Sequence, residues 1–464
     1  MTMRLLVECT YVYEHPNDNS GIQRVVRNVI NQLSAVDASV ECIPIMMRGG
    51  EVHQVLSLAP LPTQQLSWKQ KLRVKLDHWR NRFWCLHAHV ERLAPLRYSH
   101  TLRRIFYVLC RLAGLSFSIP IRLLDRFTND TPAPERAVVI ECREGDQLLL
   151  LDSSWHADFF PLAERLKREG VGIISVIYDL IPLTHPQFCD AGLVKVFDRW
   201  FDWISRTADG FIAISSTISE QVKAEVTSRI GETEAGTRWF DHFYLGSELD
   251  LVVADKKLEN RLLTLFDGTA PVYLMVSTIE PRKNHAYLLD AFELLWQKDS
   301  PACLCIVGKV GWKCDDLIER IESHPELNQR LFMFNSLDDA GLEYAYNHSR
   351  ALVFPSYVEG FGLPLVEAMQ RGLPAMASAI PVFEEIGGDF MAYFELGQPA
   401  SLAALVENFE QTGRFPAAKN LQQWSWLSWN DSTRQLIERT ATHVMQAKSS
   451  DRILSGFDVK THSA

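Results

Sequence analysis

Two glutamates eight positions apart, Glu359 and Glu367, bracket a glycine loop in the segment Pro355-Ser-Tyr-Val-Glu-Gly-Phe-Gly-Leu-Pro-Leu-Val-Glu367. The apolar run Ala351 to Phe354 reads as a buried strand, and Pro364 stands where a helix would begin. Proline suits that first turn because its missing N–H has no helical partner there. Gly360 and Gly362 allow a tight turn and let a phosphate approach the backbone N–H groups of the helix, whose dipole favours an anion. With one carboxylate on the loop and the other a turn into the helix, the pair can face opposite ends of one ligand. The plainer alternative is a capped helix with solvated glutamates. A second strand-to-loop junction reads Met275-Val-Ser-Thr-Ile-Glu-Pro-Arg-Lys-Asn-His285. Arg282, as a planar fork, and Lys283, as a point charge, would together neutralise a diphosphate. An Arg-Lys pair is ordinarily a solvated loop, but open α/β sheets bind ligands at the carboxyl ends of their strands.

Elements that could position these residues recur along the chain. Short apolar runs at Arg4 to Glu8, Val40 to Ile45, Ala137 to Glu141, Gln147 to Asp152, Gly172 to Tyr178, Gly210 to Ile214 and His242 to Leu245 alternate with helical patterns. A second series follows a polar linker near 247–260, with runs at Val272 to Ser277, Cys303 to Val307, Leu331 to Phe334, Ala351 to Phe354, Pro374 to Ser378 and Met391 to Phe394. Such alternation requires parallel sheets with crossover helices. The expected organisation is α/β: a Rossmann-like domain over 1–250, with an inserted helical segment at about 64–126, and a second over 260–428. A helix over 429–446 would return to the first domain, and 449–464 read as a polar tail.

A chain of 464 residues exceeds what one core usually supports, in keeping with two domains. The 47% hydrophobic and 22% charged fractions are those of a globular protein rather than a disordered one. Nine scattered cysteines without C-x-x-C pairs suggest neither a disulfide framework nor a zinc site. No signal-like apolar stretch or cleavage site opens the sequence, so a cytoplasmic location is expected. The net charge of −10 argues against nucleic acid as a partner, but its distribution is uneven. Residues 64–126 carry thirteen Lys or Arg against Asp77, Glu91 and Asp125, a balance of +10 that leaves −20 for the remainder. Aromatic residues Trp68, Trp79, Phe83 and Trp84 interleave with those basic residues, and the apolar run Ile105 to Leu124 is interrupted by Arg111, Pro120 and Arg122. The interruptions argue against a transmembrane span. A basic and apolar segment of this kind suits an anionic membrane surface, and a helical cover for the first domain is the alternative.

The chain resembles the retaining glycosyltransferases of family four, with the GT-B fold. Glu359 and Glu367 match that family's E-x7-E signature, and Ser277-Thr-Ile-Glu-Pro-Arg-Lys-Asn matches its donor-phosphate loop. Further matches are Gly308-Lys-Val-Gly-Trp312, Ile177-Tyr-Asp-Leu-Ile-Pro182, Ser20-Gly-Ile-Gln-Arg24 and Asp152-Ser-Ser-Trp155. The resemblance implies that Arg282 and Lys283 bind the donor diphosphate, that Glu359 contacts the transferred sugar, and that Glu367 bonds the ribose. It implies backbone contacts from Gly360, Phe361, Gly362 and Leu363, donor contacts at Gly21, Gly308 and Lys309, and a place for Asp179 near the reacting sugar or acceptor. Arg24, Tyr178 and His185 are acceptor-side candidates. Many members carry a His before the aspartate where this chain has Tyr178, so no histidine base is assigned. Tyr178-Asp-Leu-Ile-Pro resembles the variant in bacterial O-antigen and capsule mannosyltransferases.

The implied activity is transfer of a hexose, with GDP-mannose the leading donor, to a growing or lipid-linked glycan in surface polysaccharide biosynthesis. No Asp-x-Asp cluster stands where a metal would be needed, so metal independence is expected, without a cofactor. A nucleotide-sugar 2-epimerase and a non-catalytic, membrane-surface component of a polysaccharide assembly complex are the alternatives.

Overall fold

Eight strands make the first sheet: β1 (Met3–Glu8), β2 (Val40–Arg48), β3 (Glu51–Val55), β4 (Ala137–Val139), β5 (Gln147–Leu150), β6 (Gly172–Ile177), β7 (Gly210–Ala213) and β8 (Trp239–His242). Their order is β4-β3-β2-β1-β5-β6-β7-β8. From β2 through β8 the ladders are parallel, with Leu6 of β1 paired to Ile43 on one side and Leu148 on the other. Leu5, Leu6, Val7 and Leu148 to Leu150 are fully buried. Continuous burial of this kind follows when helices cover both faces of a parallel sheet. The computed structural model describes residues 3–16, 21–35, 39–58, 72, 75–76, 79–80, 100–127, 136–156, 159–247, 258–335 and 337–458.

One strand departs from the sequence expectation and one is displaced. β3 is antiparallel to β2 through a turn at Gly49 and Gly50, both at positive φ, the geometry a two-residue hairpin requires. β8 lies three residues before the expected run: Phe243 and Leu245 are buried, but Tyr244 bonds to Gln435 and Ser432 of the last helix instead of a strand.

The second sheet contains β9 (Val272–Val276), β10 (Cys303–Val307), β11 (Leu331–Phe334), β12 (Ala351–Phe354), β13 (Ala375–Ser378) and β14 (Ala392–Phe394), all parallel. Its order, β11-β10-β9-β12-β13-β14, is the doubly wound arrangement in which strand order reverses between two adjacent strands, here β9 and β12. A crevice opens beyond the carboxyl ends of strands at such a reversal. The loops there are the two that carry Arg282-Lys283 and Glu359.

The last helix, Trp429–Asp458, packs on the first sheet. Ser432 donates to the Tyr244 carbonyl at 2.6 Å, Arg439 pairs with Asp241 at 2.6 Å, and His443 stacks on Trp239. This helix runs past its expected end at 446, through part of the polar tail expected at 449–464, to Asp458. No proline interrupts that stretch, and polar residues with an Ile-Leu pair sustain a helix already nucleated.

Residues 56–138 form a compact unit of their own, wider than the expected insertion at 64–126. Within it the helix His100–Phe127 runs unbroken through Arg111 and Pro120, so the residues that interrupt the apolar run do not interrupt the helix. Its window Arg104 to Ile121 has a mean hydropathy of 1.4, so by length and composition this helix could cross a membrane. Lys69, Arg73, Arg82, Trp68, Phe83 and Trp84 lie outside the described residues.

Candidate active site

The strand ends fix the candidate residues in place. After β9, Pro281–Lys283 makes a single tight turn, and Asn284 adopts a left-handed conformation before the helix His285–Trp296 begins. After β12, the loop ends at Gly362, with φ of +110°, followed by the helix Leu363–Gln370 with proline in its first turn. Glycine is required at that φ. Gly308, beyond β10, is required for another reason: a Cβ there would stand 1.7 Å from the Ser277 carbonyl oxygen.

Arg282 reaches Glu359 at 2.7 Å and Glu280 at 2.6 Å, and the Lys283 ammonium pairs with the other oxygen of Glu359. Ser356 also donates to Glu359, at 2.8 Å. Glu359 is buried, yet against the cost of that burial Arg282 and Lys283 hold its carboxyl down at about 2. Behind Lys283, burial lowers His285 to about 3, so its imidazole is neutral. The two cations and the loop carboxylate therefore form one charged cluster at the crevice.

Glu367 is buried on the helix Leu363–Gln370. It accepts from Tyr346 at 2.9 Å and from Arg24 at 2.6 Å, the latter carried by the helix Gly21–Gln32 of the first sheet. Arg24, expected on the acceptor side, thus meets the carboxylate assigned to the ribose end. At Gly21 a Cβ would meet no atom within 4 Å. Lys309 is exposed, Leu363 half-buried, and Phe361 packs edge-on against Trp426, leaving its backbone to the loop.

From the first sheet, Asp179 follows β6 and accepts from the Ile181 N–H at 2.9 Å. Burial raises its pKa, with Arg282 opposing. Tyr178 is corrected as an acceptor contact: its side chain is buried and its hydroxyl donates to the Leu151 carbonyl at 2.7 Å inside the first sheet. Its backbone carbonyl instead lies against Gly360. His185 is half-buried, bonds Thr184, and stacks on Phe188, which in turn stacks on Tyr357 beside Glu359.

Several further contacts join segments far apart in the sequence. Glu385 accepts from the backbone N–H groups of Ser216 and Thr217 at 2.6 and 2.8 Å, capping a first-sheet helix from the second sheet. Ser215 donates to the Gly360 carbonyl at 3.1 Å. Glu8 and Asp152, at the ends of neighbouring β1 and β5, are both buried, and the Asp152 N–H donates to Glu8 at 3.2 Å. Burial, with the Asp152 charge beside it, pushes Glu8 up to about 7. Among the described residues no group of three or more His, Cys, Asp or Glu is arranged to hold a metal ion.

Two doubly wound sheets joined at the carboxyl ends of their strands define the GT-B fold. The structure of HepE from Anabaena, in complex with UDP and glucose, aligns with 95% of this chain and all of its own at a TM-score of 0.53 and 13% identity. A sucrose-phosphate synthase from Thermosynechococcus elongatus aligns over 98% of this chain and 99% of its own, at a TM-score of 0.50 and 15% identity. Residues 257–423 match the model of the glycosyl transferases group 1 family. Over 302 residues it is 34% identical to the serotype-specific mannosyltransferase WbdA of Escherichia coli, covering 63% of this chain and 37% of that protein. It is also 30% identical to the O-antigen chain mannosyltransferase B of Escherichia coli, over 35% of this chain and 44% of that one. The matched region spans little more than a third of the WbdA relative's length.

Proposed function

We propose that this chain is a retaining glycosyltransferase that moves a hexose, mannose from GDP-mannose in the leading reading, onto a growing or lipid-linked glycan of a surface polysaccharide. The observation that carries this reading is the Arg282, Lys283 and Glu359 cluster at the reversal of the second sheet, opposite Asp179. The names of the mannosyltransferase relatives support the choice of sugar and pathway. In the reaction the bond between the anomeric carbon and the phosphate oxygen breaks, and its electron pair leaves with the nucleoside diphosphate. The acceptor hydroxyl forms the new bond on the same face and gives up its proton to the departing phosphate. Arg282 and Lys283 are fixed donors for the charge that grows there, the electrostatic contribution that is usually the largest in catalysis. That pair of cations serves without a metal ion. In this reading Glu359 bonds the sugar hydroxyls and Glu367 bonds the ribose.

The separate unit adds a partner, an anionic membrane surface. On the helix His100–Phe127 one face is buried at Cys110 and Ile121, while Ile105, Val108, Leu112, Leu115 and Ile119 are exposed on the opposite side. Arg104 and Arg111 flank that apolar stripe, the pattern of a helix lying in the headgroup layer. The activity is tested by incubating the purified protein with a panel of nucleotide sugars and mannose-terminated acceptors. GDP-mannose should yield an elongated product of retained anomeric configuration. Failure of every donor to yield product or free nucleotide would remove the transferase reading.

A further inference from the structure

Glu367 has two oxygens, and both are engaged. Tyr346 donates to one at 2.9 Å; its own pKa is driven well above the usual tyrosine value by burial and by the Glu367 charge, so it stays a donor. The Arg24 guanidinium takes the other at 2.6 Å. The side chains are nested: Glu367 is 2% exposed and Arg24 is 18% exposed, so the guanidinium is the more accessible partner of the two. Arg24 belongs to the first sheet's helix and Glu367 to the second's, which makes this ion pair a tie between the sheets.

We propose that Arg24 is a latch on Glu367 which the ribose of the donor nucleotide must displace, so that Arg24 sets donor affinity and residence as a positioning residue. The proposal rests on the reading of Glu367 as the ribose carboxylate. A ribose diol donates two hydroxyl hydrogens to a carboxylate, and with the buried Tyr346 bonded to one oxygen, the oxygen that must be shared or vacated is the one Arg24 holds. Each bond to the carboxylate is charge-assisted, so exchange of one for the other is near balance instead of strongly downhill. A near-balanced exchange keeps the nucleotide from binding too tightly to leave after transfer. It also couples nucleotide entry to release of one of the ties between the sheets, so a bound nucleotide loosens the contact at Arg24 while engaging Arg282 and Lys283 on its diphosphate.

The test compares wild type, Arg24→Gln and Arg24→Lys for binding of GDP and UDP by calorimetry, alongside thermal unfolding with and without nucleotide. Removal of a charge-assisted competitor should tighten nucleotide binding by about tenfold in Arg24→Gln. The unliganded protein should unfold at a lower temperature than wild type, while its nucleotide-induced rise in Tm should be larger. Arg24→Lys should fall between the two. The donor KM should drop in Arg24→Gln with no rise in kcat. A structural ion pair alone would lower the unliganded Tm and leave affinity unchanged, and unchanged or weaker binding in Arg24→Gln overturns the latch. If wild type binds neither nucleotide, the nucleotide-sugar reading falls and the latch falls with it. If wild type binds and the variant does not bind more tightly, only the latch is lost.

Discussion

A Cβ on Gly360 would stand 2.1 Å from the backbone carbonyl oxygen of Tyr178, so the glycine loop of one sheet rests on the strand end of the other at a separation only glycine permits. The atom in the way is backbone, which cannot swing aside as a side chain would. Gly360→Ala should therefore push the loop, and Glu359 with it, away from Asp179. Overpacking of this kind typically costs about 1–3 kcal/mol. A modest fall in Tm with a loss of transfer activity of at least tenfold is expected. An alanine variant of full activity would mean that the two sheets separate freely at this contact.

Glu359 is held at about 2, below its ordinary 4.5, because Arg282 and Lys283 outweigh burial. A depressed carboxylate contributes stability above its unfolded pKa, and that contribution is lost as pH falls from about 4.5 towards 2. Glu359→Ala removes the carboxylate and leaves the buried Lys283 ammonium beside Arg282, which keeps its ion pair with Glu280, a change on the order of 3–5 kcal/mol. Pyrophosphate, which supplies the missing negative charge, should restore more Tm to this variant than to wild type. Lys283→Ala should lower turnover far more than stability. Equal losses in both would mark Lys283 as a structural cation.

Glu367→Ala should weaken nucleotide binding, since charge-assisted bonds to ribose hydroxyls contribute about 1.5–3 kcal/mol each. The direction is opposite to that expected for Arg24→Gln, although each substitution breaks the same ion pair. Calorimetry on the two variants separates the carboxylate's role from that of its partner. Donor affinity unchanged in a folded Glu367→Ala protein removes Glu367 from the site.

How far these features were legible depended on whether the cause was local. The loops bearing Arg282, Lys283 and Glu359 announce themselves because a strand, a glycine or proline, and a helix follow one another within a dozen residues. The strands of the second sheet fall within a residue of their expected bounds because buried parallel strands are uninterrupted apolar runs. Phe243 and Leu245 were readable as buried, but the departure of the run from the sheet after Phe243, whose N–H still donates to the Ala213 carbonyl of β7, was not, because the groups that meet Tyr244 lie almost two hundred residues away in the last helix. Glu8 and Asp152 stand at the ends of strands far apart in the sequence, and only the adjacency of β1 and β5 brings them together. The clasp from Glu385 to Ser216 and Thr217 depends in the same way on how the two sheets meet.

The Glu8 pair sets a pH dependence of the opposite sign to that of Glu359. Burial and Asp152 raise Glu8 from 4.5 to about 7, so the folded state holds its proton more tightly than the unfolded state does. Stability from this group is complete below about 4.5 and is lost as pH rises through about 7. The span is on the order of 3 kcal/mol. The urea midpoint of wild type should fall between pH 5 and pH 8, and Glu8→Gln, which resembles the protonated side chain, should flatten that fall. Parallel wild-type and variant curves would show that Glu8 titrates no differently in the folded protein.

The helix His100–Phe127 carries the membrane prediction, because its composition alone suits three environments. A buried core helix would hide both apolar faces, yet Ile105, Val108, Leu112 and Ile119 are each more than half exposed. A spanning helix avoids charge at its middle, where Arg111 lies, since a basic side chain at the bilayer centre costs at least about 2.5 kcal/mol. An interfacial helix accommodates both facts: the stripe enters the acyl boundary, and Arg104 and Arg111 stay with the headgroups, each contributing about 1 kcal/mol near an anionic surface. The full chain should co-sediment with phosphatidylglycerol vesicles at low ionic strength, less so as salt is raised, and weakly with neutral phosphatidylcholine vesicles. Leu109→Gln with Leu112→Gln should reduce binding at every salt concentration, whereas Arg104→Gln with Arg111→Gln should mainly flatten the salt dependence. Both double variants should keep wild-type affinity for nucleotide, since neither touches the cluster around Glu359. Resistance of the membrane-bound protein to extraction by high salt and carbonate would identify a spanning helix instead, and a wild type that stays in solution with anionic vesicles at low salt removes the membrane as a partner.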